Sequence, residues 1–123
     1  FLDQRAIHRC LLNLVGNALD ACALDPEKDK LRCVTIRTRE ENGHICFDVE
    51  DTGAGMYPQV QAKIFDRFFS TKGGRGTGLG LLVTQKIVDE LGGTISFESK
   101  PGKGTRFTLV FPEGHRNMGP EAP

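Results

Sequence analysis

Apolar and polar positions along the chain follow two different periods, and the changes of period divide it into elements. Between residues 3 and 23, Ile7, Leu11, Leu14, Ala18 and Ala21 recur every three or four positions, as on one stripe of an amphipathic helix. Asp3 is suited to cap its start, and Pro26 lies beyond its end. After the polar loop "DPEKDK" (25–30) the period drops to two. "CVTIRTR" sets Val34 and Ile36 on one side and turns Arg37 and Arg39 largely to the other. "ENG" (41–43) signals a hairpin, and "HICFDVED" alternates again, with Ile45, Phe47 and Val49 facing one way. Residues 53–78 are rich in glycine and hold one short helix candidate, roughly 57–66. Helical spacing returns in Leu79, Leu82, Val83, Ile87 and Leu91 and stops at Gly92 and Gly93. "TISFES" and "TRFTLVF" alternate on either side of the turn "KPGKG".

The order is helix, two strands, glycine-rich segment, helix, two strands. It predicts an α+β fold: a two-layer α/β sandwich with one sheet, covered by helices on one face. Residues 1–112 form one domain in this reading. From Pro112 onward little can be buried, so 113–123 is expected to be a frayed tail.

Two polar features do not fit a bland version of this pattern. Asn13, Asn17 and Asp20 share one stripe of the first helix, a polar face without the Lys and Glu usual on a solvated surface. Asp51 has the parity of Ile45, Phe47 and Val49, so it points to the core side at the mouth of the apolar layer. A carboxylate there needs a partner.

Composition narrows the class. The 123 residues, 38% of them hydrophobic, suffice for one packed core. Sixteen basic and sixteen acidic residues cancel, which gives no pointer to nucleic acid or a membrane surface. No apolar run approaches the roughly 20 residues a membrane span needs. The chain reads as a fragment of a longer cytoplasmic protein, without a signal peptide. Cys10, Cys22, Cys33 and Cys46 match no metal spacing and are expected to be reduced, mostly buried thiols, two in the helix and two in strands.

Three stretches carry chemistry. "GGRGTGLGL" (73–81) packs five glycines directly before a helix, where close backbone approach, free N–H groups and the positive dipole end suit phosphate. It is neither a P-loop nor a dinucleotide fingerprint, and a flexible linker would look similar. "DTGAGM" (51–56) sets a buried carboxylate beside Gly53 and Gly55, a slot for a flat group bearing an N–H donor such as adenine; a tight turn with a structural Asp is the plainer alternative. The amide oxygens of Asn13 and Asn17 suit Mg²⁺, which keeps waters and phosphate oxygens in its shell; a hydrogen-bonded helix face is the plainer reading there.

Through these motifs the chain closely resembles the ATP-binding catalytic domain of sensor histidine kinases, in the wider GHKL group that includes gyrase and MutL. "NLVGNALDA" (13–21) matches the N box, "DTGAGM" the first glycine box, "FDRFF" (65–69) the phenylalanine box and "GTGLGL" (76–81) the second glycine box, all in family order. The resemblance implies the Bergerat fold with a mixed, mostly antiparallel sheet. It implies ATP and Mg²⁺ as ligands, with Asn17 on the metal and Asn13 near the phosphates. Asp51 would accept from the adenine amino group, Gly53 and Gly55 would shape its slot, and Met56 would pack nearby. Gly76, Thr77, Gly78, Leu79 and Gly80 would meet the phosphates, Lys72 would reach the terminal one, and Thr105 would contact the adenine site through water. Asp20 is left between local hydrogen bonding and the site, and Arg67 and Arg75 between phosphate and solvent. Phe65, Phe68 and Phe69 are read as anchors of a mobile lid over 56–78.

The implied activity is transfer of the γ-phosphate to a histidine on a separate dimerisation domain, and onward to a response regulator. His8, His44 and His115 do not resemble the phosphoacceptor motif. Alternatives are a GHKL ATPase, an anti-sigma-type protein-serine kinase, or a regulatory module that holds nucleotide without transferring it. No contact of this fragment with nucleic acid or membrane is expected.

Overall fold

The structure, a computed structural model, describes residues 3–65 and 80–112. Helix α1 spans Gln4–Ala23. Asp3 caps it, its carboxylate accepting from the amides of Arg5 at 3.0 Å and Ala6 at 3.3 Å. Strands β1 (Val34–Glu41) and β2 (His44–Asp51) form a hairpin. Asn42 (φ 52°) and Gly43 (φ 77°) both take the positive φ that a tight primed turn demands. A short helix, α2 (Pro58–Gln61), and α3 (Gly80–Glu90) follow, then β3 (Thr94–Lys100) and β4 (Gly104–Pro112).

Two hairpins join through their second strands. β2 pairs with β4, giving the order β1-β2-β4-β3, and every described pairing is antiparallel. α1 and α3 cover one face of this sheet. Leu14, Val49, Val88, Leu109 and Phe111 are each at most 1% exposed in the core between the layers. Each fully buried side chain of this size contributes about 1.5–3 kcal/mol. Phe47 meets Phe111 edge-on at 6.0 Å, and Phe97 stacks between Phe107 at 5.7 Å and Phe65 at 6.2 Å. Phe65 is thus docked on the body; Phe68 and Phe69 lie outside the described residues.

Several expectations shift. The candidate helix at 57–66 contracts to one turn, because Pro58 starts it and Tyr57 offers no side-chain cap. On α3 the buried stripe runs through Thr84 and Val88, with Leu81, Ile87 and Leu91 flanking it, rather than through Leu82 and Val83. Cys33 lies just before β1, exposed; Cys10, Cys22 and Cys46 are buried, and all four are free thiols. Ile36 is 52% exposed although its parity is inward, since β1 is an edge strand that the helices cover only in part. Of the lid expected over 56–78, residues 66–78 lie outside the described residues, as does the tail expected over 113–123.

The face of the sheet away from the helices is charged but not uniformly wet. Arg37 pairs with Glu50 at 2.8 Å, Arg106 with Glu98 at 2.6 Å and Arg39 with Glu41 at 2.6 Å. Beneath these long side chains Cys46 and Asp48 are buried.

Candidate functional site

The inner face of the sheet ends in a polar row. Strand register sets Val34 opposite Asp51, Asp51 opposite Thr105, and Thr105 opposite Ser99. Asp51 has the inward orientation that its parity predicts and is 6% exposed. One carboxylate oxygen accepts the Gly53 amide at 2.8 Å. Burial pushes its carboxyl above the ordinary carboxylate range, against the opposing hydrogen bonds of the Gly53 and Thr105 amides and the charge of Lys30. The Thr105 hydroxyl shares a 2.8 Å hydrogen bond with Ser99 Oγ. Ser99 Oγ also donates to the Gly104 carbonyl at 3.1 Å and accepts the Met56 amide at 2.9 Å. Gln61 extends the network, donating to the carbonyls of Met56 at 2.8 Å and Ser99 at 3.2 Å.

Glycines allow this row to be closed in by backbone. A Cβ on Gly53 would lie 2.6 Å from the Ala21 carbonyl carbon, and the Ala54 amide donates to Ala21 O at 3.3 Å. The turn after Asp51 therefore rests on the C-terminal end of α1. Gly55, at φ 69°, has its open side filled by the Lys100 carbonyl. The Gly102 amide donates to Ala54 O at 2.6 Å. Lys30 reaches into the same junction and donates to Asp25, Gly53 and Gly102. Arg32 binds the end of α1, donating from Nε to Cys22 O at 2.9 Å and from Nη2 to the carbonyls of Asp25 at 3.1 Å and Glu27 at 2.5 Å.

The polar stripe of α1 lies between this junction and α3. Asn13, Asn17 and Asp20 are all half-buried. Asn13 Nδ2 donates to Thr84 Oγ1 at 3.2 Å, and Thr84 is one turn into α3 from Gly80, its first residue. Asn17 lies one turn, about 6 Å along the axis, before Ala21. The stripe thus runs from the Asp51–Gly53 turn towards the start of α3. Lys72, Gly76, Thr77, Gly78 and Leu79 lie outside the described residues.

Of the candidate residues, Asp51, Gly53, Gly55, Met56 and Thr105 meet at one end of the sheet, and Asn13 and Asn17 occupy the adjoining helix. Ser99, Gln61 and Lys30 also belong to the junction but were not singled out from the sequence. Ser99 had a usable signal: in a hairpin turning over 101–103 it must face Thr105. Lys30 had none, for two of its three partners are distant in sequence. Among the described residues no group of His, Cys, Asp and Glu could hold a metal ion by itself, and no helix is long and apolar enough to cross a membrane.

A four-stranded antiparallel sheet covered by helices on one face is an architecture this chain shares with solved histidine kinase catalytic domains. The family described as histidine kinase-, DNA gyrase B- and HSP90-like ATPase matches residues 2–115, and the chain belongs to it. Within that family the similarity is to sensor kinases. The sensor histidine kinase ZraS of Klebsiella oxytoca is 41% identical over 111 residues, which cover 89% of this chain and 22% of ZraS. The solved catalytic domain of histidine kinase ThkA superposes with a TM-score of 0.73 at 31% identity, covering 90% of this chain and 69% of that one. Full-length ShkA in complex with AMPPNP gives 0.73 at 29% identity, covering 87% and 21%. The chain therefore spans about a fifth of the length of the full-length relatives named here.

Proposed function

We propose that the chain binds Mg-ATP and positions its γ-phosphate for transfer to a histidine on a separate dimerisation domain, as the catalytic domain of a two-component sensor histidine kinase. The observation that carries this reading is the Asp51–Thr105–Ser99 row, a buried acceptor at the mouth of the core with no cation hydrogen-bonded to it among the described residues. Such a carboxylate suits the exocyclic amino group of adenine. Met56, packed against the core, offers an apolar surface for the ring. The ShkA complex with AMPPNP supports an adenine nucleotide as the ligand.

Mg²⁺ is part of the proposal. The cation takes few protein ligands and several phosphate and water oxygens, so the amide oxygen of Asn17 fits it without an acidic cluster. Mg²⁺ would neutralise charge on the bound phosphates. Asn13, held by Thr84, would orient beside them, and Lys72 with the backbone of Gly76, Thr77, Gly78, Leu79 and Gly80 would bind the phosphate end. The polar stripe of α1 supports that arrangement by its direction. The response regulator, the parent's dimerisation domain and a cytoplasmic setting follow from the same reading, as does one domain over 1–112.

The test is labelling with γ-labelled ATP. The chain alone should stay unlabelled, and a dimerisation domain supplied from the same parent protein should gain acid-labile phosphate, dependent on Mg²⁺ and lost in Asn17→Ala. Ala is the better helix former, so that variant keeps α1. Label on the chain itself, or Mg²⁺-dependent transfer surviving Asn17→Ala, would contradict the assignment.

A further inference from the structure

Lys30 belongs to the connection between α1 and β1, whose sequence "DPEKDK" marks it as a solvated loop. Its side chain is nevertheless only 13% exposed. The ammonium donates to Asp25 Oδ2 at 2.6 Å, to the Gly53 carbonyl at 2.6 Å and to the Gly102 carbonyl at 2.9 Å. Three oxygens use the full donor capacity of a lysine. They come from three separate segments: the α1–β1 loop, the turn after β2 and the β3–β4 turn.

Asp25 is the counter-ion and is itself fixed. Its other oxygen accepts the Glu27 amide at 3.0 Å, and the Lys30 hydrogen bond holds its carboxyl below the ordinary carboxylate range. The remaining two donors go to backbone carbonyls, one in the turn after Asp51 and one in the β3–β4 turn. Gly53 is the pivotal one: its amide bonds the Asp51 carboxylate while its carbonyl bonds Lys30. Fixing both ends of one glycine removes the freedom that residue would otherwise have. The Gly102–Ala54 hydrogen bond closes the same junction from the β3–β4 side.

We propose that Lys30 is a positioning residue for the base end of the nucleotide site: it clamps the Asp51–Gly53 turn to the α1–β1 loop and the β3–β4 turn, and so aims the Asp51 carboxylate at the amino group of the base without touching the nucleotide. This rests on the assignment of Asp51 to that amino group. Lys30 therefore contributes to base selection, a property no pattern in its own loop announces.

The experiment compares binding of ADP and inosine diphosphate, which carries a carbonyl where adenine carries the amino group, by calorimetry on the chain, Asp51→Asn and Lys30→Met. Lys30→Met should weaken ADP about tenfold, the size of one charge-assisted hydrogen bond, and leave inosine diphosphate nearly unchanged. The preference for ADP then collapses towards that of Asp51→Asn. If Asp51→Asn keeps the parent preference, the base-site reading falls, and this proposal with it, whatever Lys30→Met does. If Asp51→Asn loses the preference while Lys30→Met keeps it, or weakens both nucleotides equally, the positioning role alone is overturned. Circular dichroism melting establishes folding, and Lys30→Gln, which retains an amide donor, replaces Lys30→Met if that variant does not fold. Loss of folding in both would make Lys30 a scaffold residue and equally overturn the proposal.

Discussion

Asp48 and Asp51 lie three residues apart on β2 and are 7% and 6% exposed, yet their surroundings displace the two carboxyls in opposite directions from the ordinary carboxylate range. Odd spacing on a strand sends them to opposite faces. Burial acts against ionisation of both. At Asp48 it is outweighed: Thr108 Oγ1 donates at 2.7 Å and Arg39 Nε at 3.3 Å, so its carboxyl falls below the ordinary range. At Asp51 burial prevails, because its partners are backbone amides and its side chain forms no described ion pair. One carboxylate is satisfied within the fold. The other keeps a cost that a ligand could relieve, which is the usual mark of a binding residue.

The largest expected effect comes from breaking the unsatisfied member. Asp51→Asn turns an acceptor towards adenine into a group that can present a donor to a donor. The affinity for a non-hydrolysable ATP analogue should fall by about 30- to 1000-fold, the range for a lost charge-assisted hydrogen bond that leaves a group unpaired. Titration calorimetry on the folded variant checks it, and unchanged affinity would remove Asp51 from the base site.

Next in size is the satisfied member. Asp48→Ala leaves the Thr108 hydroxyl and the Arg39 guanidinium without their shared acceptor, a loss of about 1–3 kcal/mol in unfolding free energy. Urea unfolding measures it, and nucleotide affinity of the folded variant should not change. Because the native pKa of Asp48 is depressed, its contribution is present above the ordinary carboxylate pKa and disappears as pH falls through the depressed one. The gap between parent and Asp48→Ala should therefore close in acid.

The smallest effect has the opposite sign. The native pKa of Asp51 is raised, so its favourable contribution to folding is full below the ordinary carboxylate pKa and lost as pH rises through the raised one. At neutral pH the empty Asp51→Asn protein should melt above the parent, with the advantage vanishing in acid. Melting curves of the empty proteins across that range would test it; a variant less stable than the parent at neutral pH would mean that Asp51 is held by its amide bonds as well as Asp48 is by its partners.

Much of this was legible in the sequence by itself. Local periodicity determined both long helices, the four strands and the two hairpins, because helical and pleated backbones repeat over a few residues and each period exposes its own stripe. Parity alone set Asp51 inward, and the spacing of four put Asn13 and Asn17 on one helix face. Only the tertiary structure decided that the two hairpins join through β2 and β4. The order β1-β2-β4-β3 is what brings Ser99 and Thr105 beside Asp51, and what buries Asp48 beneath Arg39 on a face whose pattern reads as charged and solvated. Lys30 shows the same limit, since two of its partners are 23 and 72 positions away and nothing in "DPEKDK" names them. A residue's pattern records which way it points; what it meets there depends on segments that arrive from elsewhere in the chain.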